Sequence, residues 1–332
     1  MRIFRNVRRL PSTATGAVAA VGNFDGVHLG HRVVIDGARR LATAKSVPSA
    51  VLTFEPHPRR LFRPDDPPFR LTPFRVKAQI LSGLGIDLML APRFNRRFAA
   101  VTAEDFVATV LAGQFALSRV VCGADFVFGK GRTGDVALLQ RLAPEHGIEV
   151  TIVDPVGDED TVYSSTNIRN LLASGDPRGA ARLMGRPFEV VGRVRRGAQI
   201  GRKLGFPTAN VDHRDYMVPA TGVYAVRAAV DVPGQAQARS WIDGVANFGR
   251  RPTVDGVKLL LEVHLFDFAG ELYGHRLRVR FVEHLRPERR FDGLDALKAQ
   301  IAEDARQARR ILASHAVGHA TDRDPLQRIT TS

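Results

Sequence analysis

His28 and His31 stand three residues apart in GNFDGVHLGH (residues 22–31), directly after the apolar run AVAAV. Metal ligation, a cradle for phosphate, or plain strand-to-helix punctuation could each use such a stretch. A zinc site takes four ligands, or three and a water. Here the only thiol is Cys122, and no second histidine cluster lies nearby in sequence. The phosphate reading asks for less. A strand ending near Val21 brings the loop to the carboxyl edge of a parallel sheet. A helix beginning near His31 offers free N–H groups and a positive dipole end. Gly26 and Gly30 let the backbone approach oxygens closely. Imidazoles donate hydrogen bonds to phosphate without a permanent charge.

Other stretches pair chemical groups with turn signals. In YSSTNIRNLL (residues 163–172), Ser164, Ser165 and Thr166 can cap a helix from about Asn167, and their hydroxyls can bond phosphate. Arg169 adds a fixed positive charge one turn in, although an ordinary N-cap with a surface arginine is equally consistent. In GRKLGFPTANV (residues 201–211), Gly201 and Gly205 bracket a turn and Pro207 fixes the backbone. Thr208 and Asn210 then share one side of an extended strand. Two neutral oxygens there suit magnesium, with phosphates and water completing its shell; a bare turn entering a strand is the alternative. No G-x-x-x-x-G-K-[ST] loop occurs. In KLLLEVHLFDF, Leu259, Leu261, Val263 and Leu265 form one apolar face. Glu262 falls opposite, with Lys258, Leu260 and His264, where a solvated carboxylate is the usual reading. In CGADFVFGKGRTGD, Phe126 and Phe128 alternate before a glycine-rich loop. They could contact a flat ring, but for any single phenylalanine core packing is favoured.

These groups need positioning, and the chain supplies two different rhythms. In the first half, AVAAV, SAVLTF, DLMLA, RVVCG and EVTIVD read as buried strands alternating with stretches of helical spacing. That alternation implies a parallel sheet with helices on both faces. Beyond residue 185, FEVVGRV, GVYAVRAAV, SWIDGVANFG, LLLEVHLFDF and RLRVRFVEHL succeed one another with only Gly/Pro turns between them. That pattern implies an antiparallel barrel or sandwich. Leu294, Leu297, Ile301, Ala305, Ala308 and Leu312 then stripe one face of a closing helix. The expected organisation is an α/β parallel-sheet domain over 1–184 and a β-barrel domain with a C-terminal helix over 185–313. The small, polar residues 314–332 are expected to be disordered.

At 332 residues, two domains are the default. The net charge of +14 could suggest nucleic acid. However, all the basic residues except Lys45, Lys77, Lys130, Lys203, Lys258 and Lys298 are arginines, and they are dispersed. No nucleic-acid partner is expected, and a basic surface suits anionic small molecules equally well. No apolar run approaches the ~20 residues of a membrane span, and the N-terminus reads as mature sequence, so no membrane association is expected. A single cysteine forms no intrachain disulfide and points to the cytoplasm.

HLGH resembles the HxGH motif of the nucleotidyltransferase superfamily, and YSSTNIR its SSTxIR partner. With TFEPHP and CGADFVFGKGRTGD, the first half resembles the FMN adenylyltransferase module of prokaryotic bifunctional riboflavin kinase/FAD synthetases. Tyr163 stands where that family often has an aliphatic residue. GFPTAN, GVYA, GVANFGRRPT, LEVHLFDF and LYG come in the order of the riboflavin kinase module. The resemblance implies a Rossmann-like nucleotidyltransferase domain and a riboflavin kinase barrel. Riboflavin, FMN, FAD and ATP would be substrates and products, with Mg2+ as cofactor. It implies ATP-phosphate binding at Gly22, Phe24, Gly26, His28, Gly30, His31, Ser164, Ser165, Thr166 and Arg169. Flavin would meet Phe54, Pro56, His57, Pro58, Asp125, Phe126 and Phe128. In the kinase, ATP and flavin would meet Gly201, Lys203, Gly205, Pro207, Thr208, Asn210, Asn247, Arg251 and Thr253, with Mg2+ on Thr208 and Asn210. His28, His31 and Glu262 would be catalytic, Glu262 as the base. The competing expectations are a chain with one inactive module and a flavin-sensing regulator without turnover.

Overall fold

Strands covered on both faces are apolar throughout, and three of the first-half runs behave this way. In the computed structural model, β2 (Val18–Val21), β3 (Ser49–Leu52) and β4 (Leu88–Leu90) are buried at every position. With β5 (Arg119–Gly123) and β6 (Glu149–Val153) they form a parallel sheet. A sixth strand, β1 (Arg2–Phe4), pairs in parallel with β4 at the sheet edge; it is short and largely exposed, so it carries no apolar signature. The order is β1-β4-β3-β2-β5-β6. The structure describes residues 1–158, 161–196, 201, 205–231, 240–253 and 256–318; the side chains of 251–253, 256–258 and 315–318 lie outside that description.

Helix α1 (Leu29–Ala44) comes after β2, and α2 (Pro58–Phe62) and α3 (Phe74–Gly83) come after β3. The stretch AEDFVATVLAG, expected to be an ordinary helix, has one α-helical turn at Ala103–Asp105 and continues as a π-helix over Phe106–Gln114.

By packing, the chain divides earlier than the boundary expected at residue 185. Met1–Pro67 and Thr72–Tyr163 form one unit, while Pro68–Leu71 joins the chain from Ser164 onward. Two further helices, Ser165–Ala173 and Pro177–Met184, thus go with the second unit. The Met217 N–H donates to the Arg70 carbonyl and the Ala220 N–H to the Leu172 carbonyl, both at 2.9 Å.

The second unit is a closed antiparallel barrel. Strands β7 (Phe188–Arg195), β8 (Ala209–Val211), β9 (Gly222–Val230), β10 (Ile242–Thr253), β11 (Gly256–Leu265) and β12 (Arg276–Arg286) close in the order β10-β11-β8-β7-β12-β9. The short β8, from the PTAN segment, completes the ring between β7 and β11. Gly192 is required there, because a Cβ at that position would collide with the Asp212 carbonyl. A helix over Leu294–Gly318 comes last, with Ala308 and Leu312 fully buried. It extends past the expected module end at residue 313, since Ser314 still bonds back to the Ile311 carbonyl at 2.8 Å. Of the tail expected to be disordered, 319–332 lies outside the described residues.

Candidate active sites

In the first unit, β2 ends in the 22–28 loop. Its turn needs left-handed backbone at Phe24 (φ 47°), Gly26 (φ 92°) and Val27 (φ 42°). Non-glycine residues, β-branched ones above all, hold such angles only when their surroundings over-determine them. The surroundings here are buried polar contacts. Thr72 donates its N–H to Asp25 Oδ1 at 3.0 Å and accepts the Gly26 N–H on its hydroxyl at 2.8 Å. His28 is the N-cap of α1: the His31 N–H donates to His28 Nδ1 at 3.3 Å. A capping Nδ1 must be unprotonated, so the proton of neutral His28 sits on Nε2. The helix therefore starts two residues before His31. The two imidazoles stack, with centroids 3.5 Å apart. Positive charge on both would be repulsive at that spacing, and a neighbouring anion relieves it. Gly30 has a steric reason: a Cβ there would come 3.0 Å from the Tyr163 carbonyl and 3.3 Å from His28 Nδ1. Gly22 likewise faces the Phe24 ring, 3.2 Å from where a Cβ would stand.

The expected flavin residues divide by burial. Phe54 (9 % exposed) and Phe128 (6 %) are core residues, packed among Phe94, Phe98 and Phe106. Phe126 is half-buried and stacks on Phe128 at 5.5 Å, while Asp125 is exposed. His57 is an N-cap, accepting the Arg59 N–H at 3.2 Å, with Pro58 opening α2 behind Pro56. Cys122 is fully buried, and burial, aided by the charge of Asp125, pushes its thiol up to about 12, which rules it out as a nucleophile at neutral pH.

In the second unit, Ser164 caps the helix Ser165–Ala173, accepting the Asn167 N–H at 3.1 Å. Ser165 and Thr166 occupy its first turn. Arg169 is held from behind: its Nε donates to the Phe69 carbonyl at 2.9 Å, and its guanidinium lies 5.7 Å from the Phe69 ring.

The barrel carries a cavity of about 380 Å³. Leu261 and Val263 point into the barrel and are 1 % exposed, which turns Glu262 outward into this cavity. Asn247 lies directly opposite Glu262 on β10, and Asn210 directly opposite it on β8. Opposed residues share a face with Cβ atoms ~5 Å apart, so the carboxylate sits between two carboxamides. Thr208, Asn247 and Gly201 line the same cavity. Pro207 ties this segment to β11, its carbonyl accepting the His264 Nδ1–H at 2.9 Å. Gly205 has a φ of 88°, in the left-handed region. Of the other expected kinase residues, Lys203 and the side chains of Arg251 and Thr253 lie outside the described residues.

The opposite wall went unforeseen. Arg286, at the end of β12, makes a two-pronged ion pair with Asp304 of the C-terminal helix, at 2.9 and 2.7 Å. Asp304 is only 3 % exposed and also accepts the Gln300 amide. Glu288 receives the Arg250 N–H, and Phe291 lies beneath Arg286 and Arg289. A signal existed: Asp304 falls three residues after Ile301 and four before Ala308, inside the apolar stripe. Among the described residues, no three His, Cys, Asp or Glu side chains are grouped to hold a metal. No described helix is long and apolar enough to cross a membrane.

Comparison with known proteins agrees with this geometry. The family model for FAD synthetase matches residues 10–167 and that for riboflavin kinase residues 184–312. The bifunctional riboflavin kinase/FMN adenylyltransferase of Escherichia coli K12 is 42% identical over 310 residues, 93% of this chain and 97% of its own length. That of Pseudomonas fluorescens is 44% identical over 317 residues, 95% and 99% of the two chains. The crystal structure of a macrolide-efflux protein from Streptococcus pneumoniae superposes with a TM-score of 0.80 at 30% identity, covering 92% of this chain and 97% of that one. The two modules together give one pair of reactions, riboflavin to FMN and FMN to FAD, both consuming ATP. The chain belongs to the bifunctional riboflavin kinase/FMN adenylyltransferase family.

Proposed function

We propose that the two reactions of this enzyme are carried by the loop groups of the first module, residues 1–184, and by the cavity groups of the second, residues 185–313. The kinase step runs in the barrel cavity. Glu262 takes the proton from the riboflavin 5′-hydroxyl as that oxygen attacks the γ-phosphorus of ATP, and ADP leaves. The observation that carries this reading is the row Asn247–Glu262–Asn210. It places one carboxylate, flanked by two amides, in a cavity that also receives Thr208. The neutral oxygens of Thr208 and Asn210 fit a hard cation arriving with ATP phosphates, and Mg2+ would there offset phosphoryl charge. Gly201, Lys203, Gly205, Pro207, Arg251 and Thr253 complete the proposed ATP and flavin contacts.

In the adenylyl-transfer step an FMN phosphate oxygen attacks the α-phosphorus of a second ATP, and pyrophosphate leaves. No protein nucleophile is required. His28 and His31, with the Gly22, Phe24, Gly26 and Gly30 backbone, stabilise charge on the phosphates as it develops. Ser164, Ser165, Thr166 and Arg169 offer hydroxyl and guanidinium donors to the same class of ligand. Phe54, Pro56, His57, Pro58, Asp125, Phe126 and Phe128 shape the flavin side, Phe54 and Phe128 from within the core. A cytoplasmic location, with small molecules as the partners, completes the proposal.

The test is incubation of the purified chain with riboflavin and MgATP, then chromatography. FAD is the expected product. FMN alone would leave the adenylyl-transfer assignments without support, and no product would mark a flavin-binding regulator.

A further inference from the structure

The helix α3 buries Val76, Lys77, Ala78 and Leu81 on one face, and Lys77 is the anomaly among them. Its side chain is 1 % exposed. Burying an ammonium is unfavourable unless strong partners receive it, and a methionine of similar length would pack there without that cost. The partners are specific. Lys77 Nζ donates to the Asn23 carbonyl at 2.5 Å and lies 3.3 Å from Thr53 Oγ1. Thr53 is itself fully buried, and its hydroxyl donates to the same Asn23 carbonyl at 3.0 Å. Two donors therefore converge on one carbonyl in the loop between β2 and α1. Because the peptide is planar and trans, turning the Asn23 C=O inward turns the Phe24 N–H the opposite way. The next residue is Phe24, the first of the three left-handed positions. Thr72, five residues before Lys77, grips Asp25 and Gly26. The short segment 72–77 thus holds three polar features of the loop between Asn23 and Gly26.

We propose that Lys77 is a positioning residue for adenylyl transfer: its buried ammonium fixes the Asn23 carbonyl inward and so holds the 22–28 loop in the shape that presents its N–H groups and His28 to the ATP phosphates. This inference rests on the reading of that loop as the phosphate site. Lys77 itself touches no substrate. A carbonyl released from Lys77 keeps only the Thr53 hydroxyl as a donor, and any outward rotation would turn its negative end against an anion. The prediction is a defect confined to one reaction and concentrated in turnover, since the flavin contacts lie on other segments.

The experiment uses the full chain and two assays, FAD formation from supplied FMN and FMN formation from riboflavin. Lys77→Met should melt cooperatively and keep riboflavin kinase activity. FAD formation should fall about 10²-fold in kcat, the cost of a displacement near 1 Å, with KM for FMN unchanged. In Lys77→Ala, added propylammonium should restore part of the lost rate saturably, which a purely structural lysine would not allow. Normal FAD formation in folded Lys77→Met would overturn the proposal. So would loss of the first unit's melting transition in Lys77→Met, Lys77→Ala and Lys77→Gln alike, because the lysine would then serve stability. His28→Ala, assayed in parallel, separates the role of the loop from that of Lys77. If it makes FAD at the normal rate, the phosphate reading of the loop fails. If it is inactive while Lys77→Met is not, only the role of Lys77 fails.

Discussion

The loop of the first unit and the cavity of the second assemble their groups in different ways. Gly22, Phe24, Gly26, His28 and His31 are neighbours along the chain, and a single strand-to-helix turn delivers all of them. Asn210, Asn247 and Glu262 are far apart in sequence and become neighbours only through the register of β8, β11 and β10. A local site is set by backbone angles and caps, such as the left-handed Phe24 and Val27 and the His28 cap. A cross-strand site is set by pairing, where a one-residue slip would send Glu262 into the barrel interior. The difference teaches where each is vulnerable: the first to whatever releases the turn, the second to whatever shifts or unpins a strand.

The largest effect should come from Glu262→Gln. It preserves shape and pairing but removes the proton acceptor, so FMN formation should fall about 10²–10⁴-fold. FAD formation from supplied FMN should persist, and the melting temperature should barely move. Initial rates of both reactions check this, and near-normal kinase turnover would remove Glu262 from the chemistry. Next is His28→Ala, with a loss of FAD formation of about 10²–10³-fold and FMN formation retained. Equal loss of both activities would mean that the two sites are not independent.

Asp304→Asn sharpens the contrast from the side of stability. It weakens the two-pronged grip on Arg286 and should cost the barrel unit about 1.5–3 kcal/mol, the usual worth of hydrogen bonds to charged groups. Denaturant melts paired with kinase assays would show it, with FAD formation from FMN unaffected under native conditions. The smallest effect concerns pH. Burial holds His284 below the ordinary histidine value, against the smaller opposing influences of Thr221 and Glu283. The unfolded chain therefore binds this proton first as the medium is acidified. The stabilising contribution is complete above the unfolded value of about 6.5 and is lost as pH falls through the lower folded value. Thermal melts of the barrel unit between about pH 8 and pH 5 should decline, and His284→Phe should flatten that decline.

Much of the architecture was legible in the sequence because it depends on short-range pattern. The five runs of the first half and the five of the second half are strands, although EVTIVD, expected to be buried, is edge strand β6 with no fully buried position; the apolar face of β11 leaves Glu262 outward as its alternation requires. Edge strand β1 was not legible, being too short and exposed to carry a periodic signal. The short β8 was anticipated only as an extended segment, and its place in the ring is a matter of long-range pairing. The π-helix of Phe106–Gln114 was also hidden, because its composition is that of any apolar helix. The placement of Pro68–Leu71 was hidden for a related reason: it packs with the second unit through bonds to residues about a hundred or more positions away.

The sequence by itself determined which groups are available and on which face of a strand or turn they stand: the two histidines at a helix start, the glycine between them, Glu262 opposite a leucine face. Those features come from backbone periodicity and from the steric needs of single residues, which act over a few positions. Only the tertiary structure decided that Asn247 and Asn210 flank Glu262, that Asp304 reaches Arg286, and that a lysine from α3 holds the carbonyl of Asn23. Each of these is a polar contact between distant segments, and such contacts are set by which backbones pack together rather than by any local preference of the residues that make them.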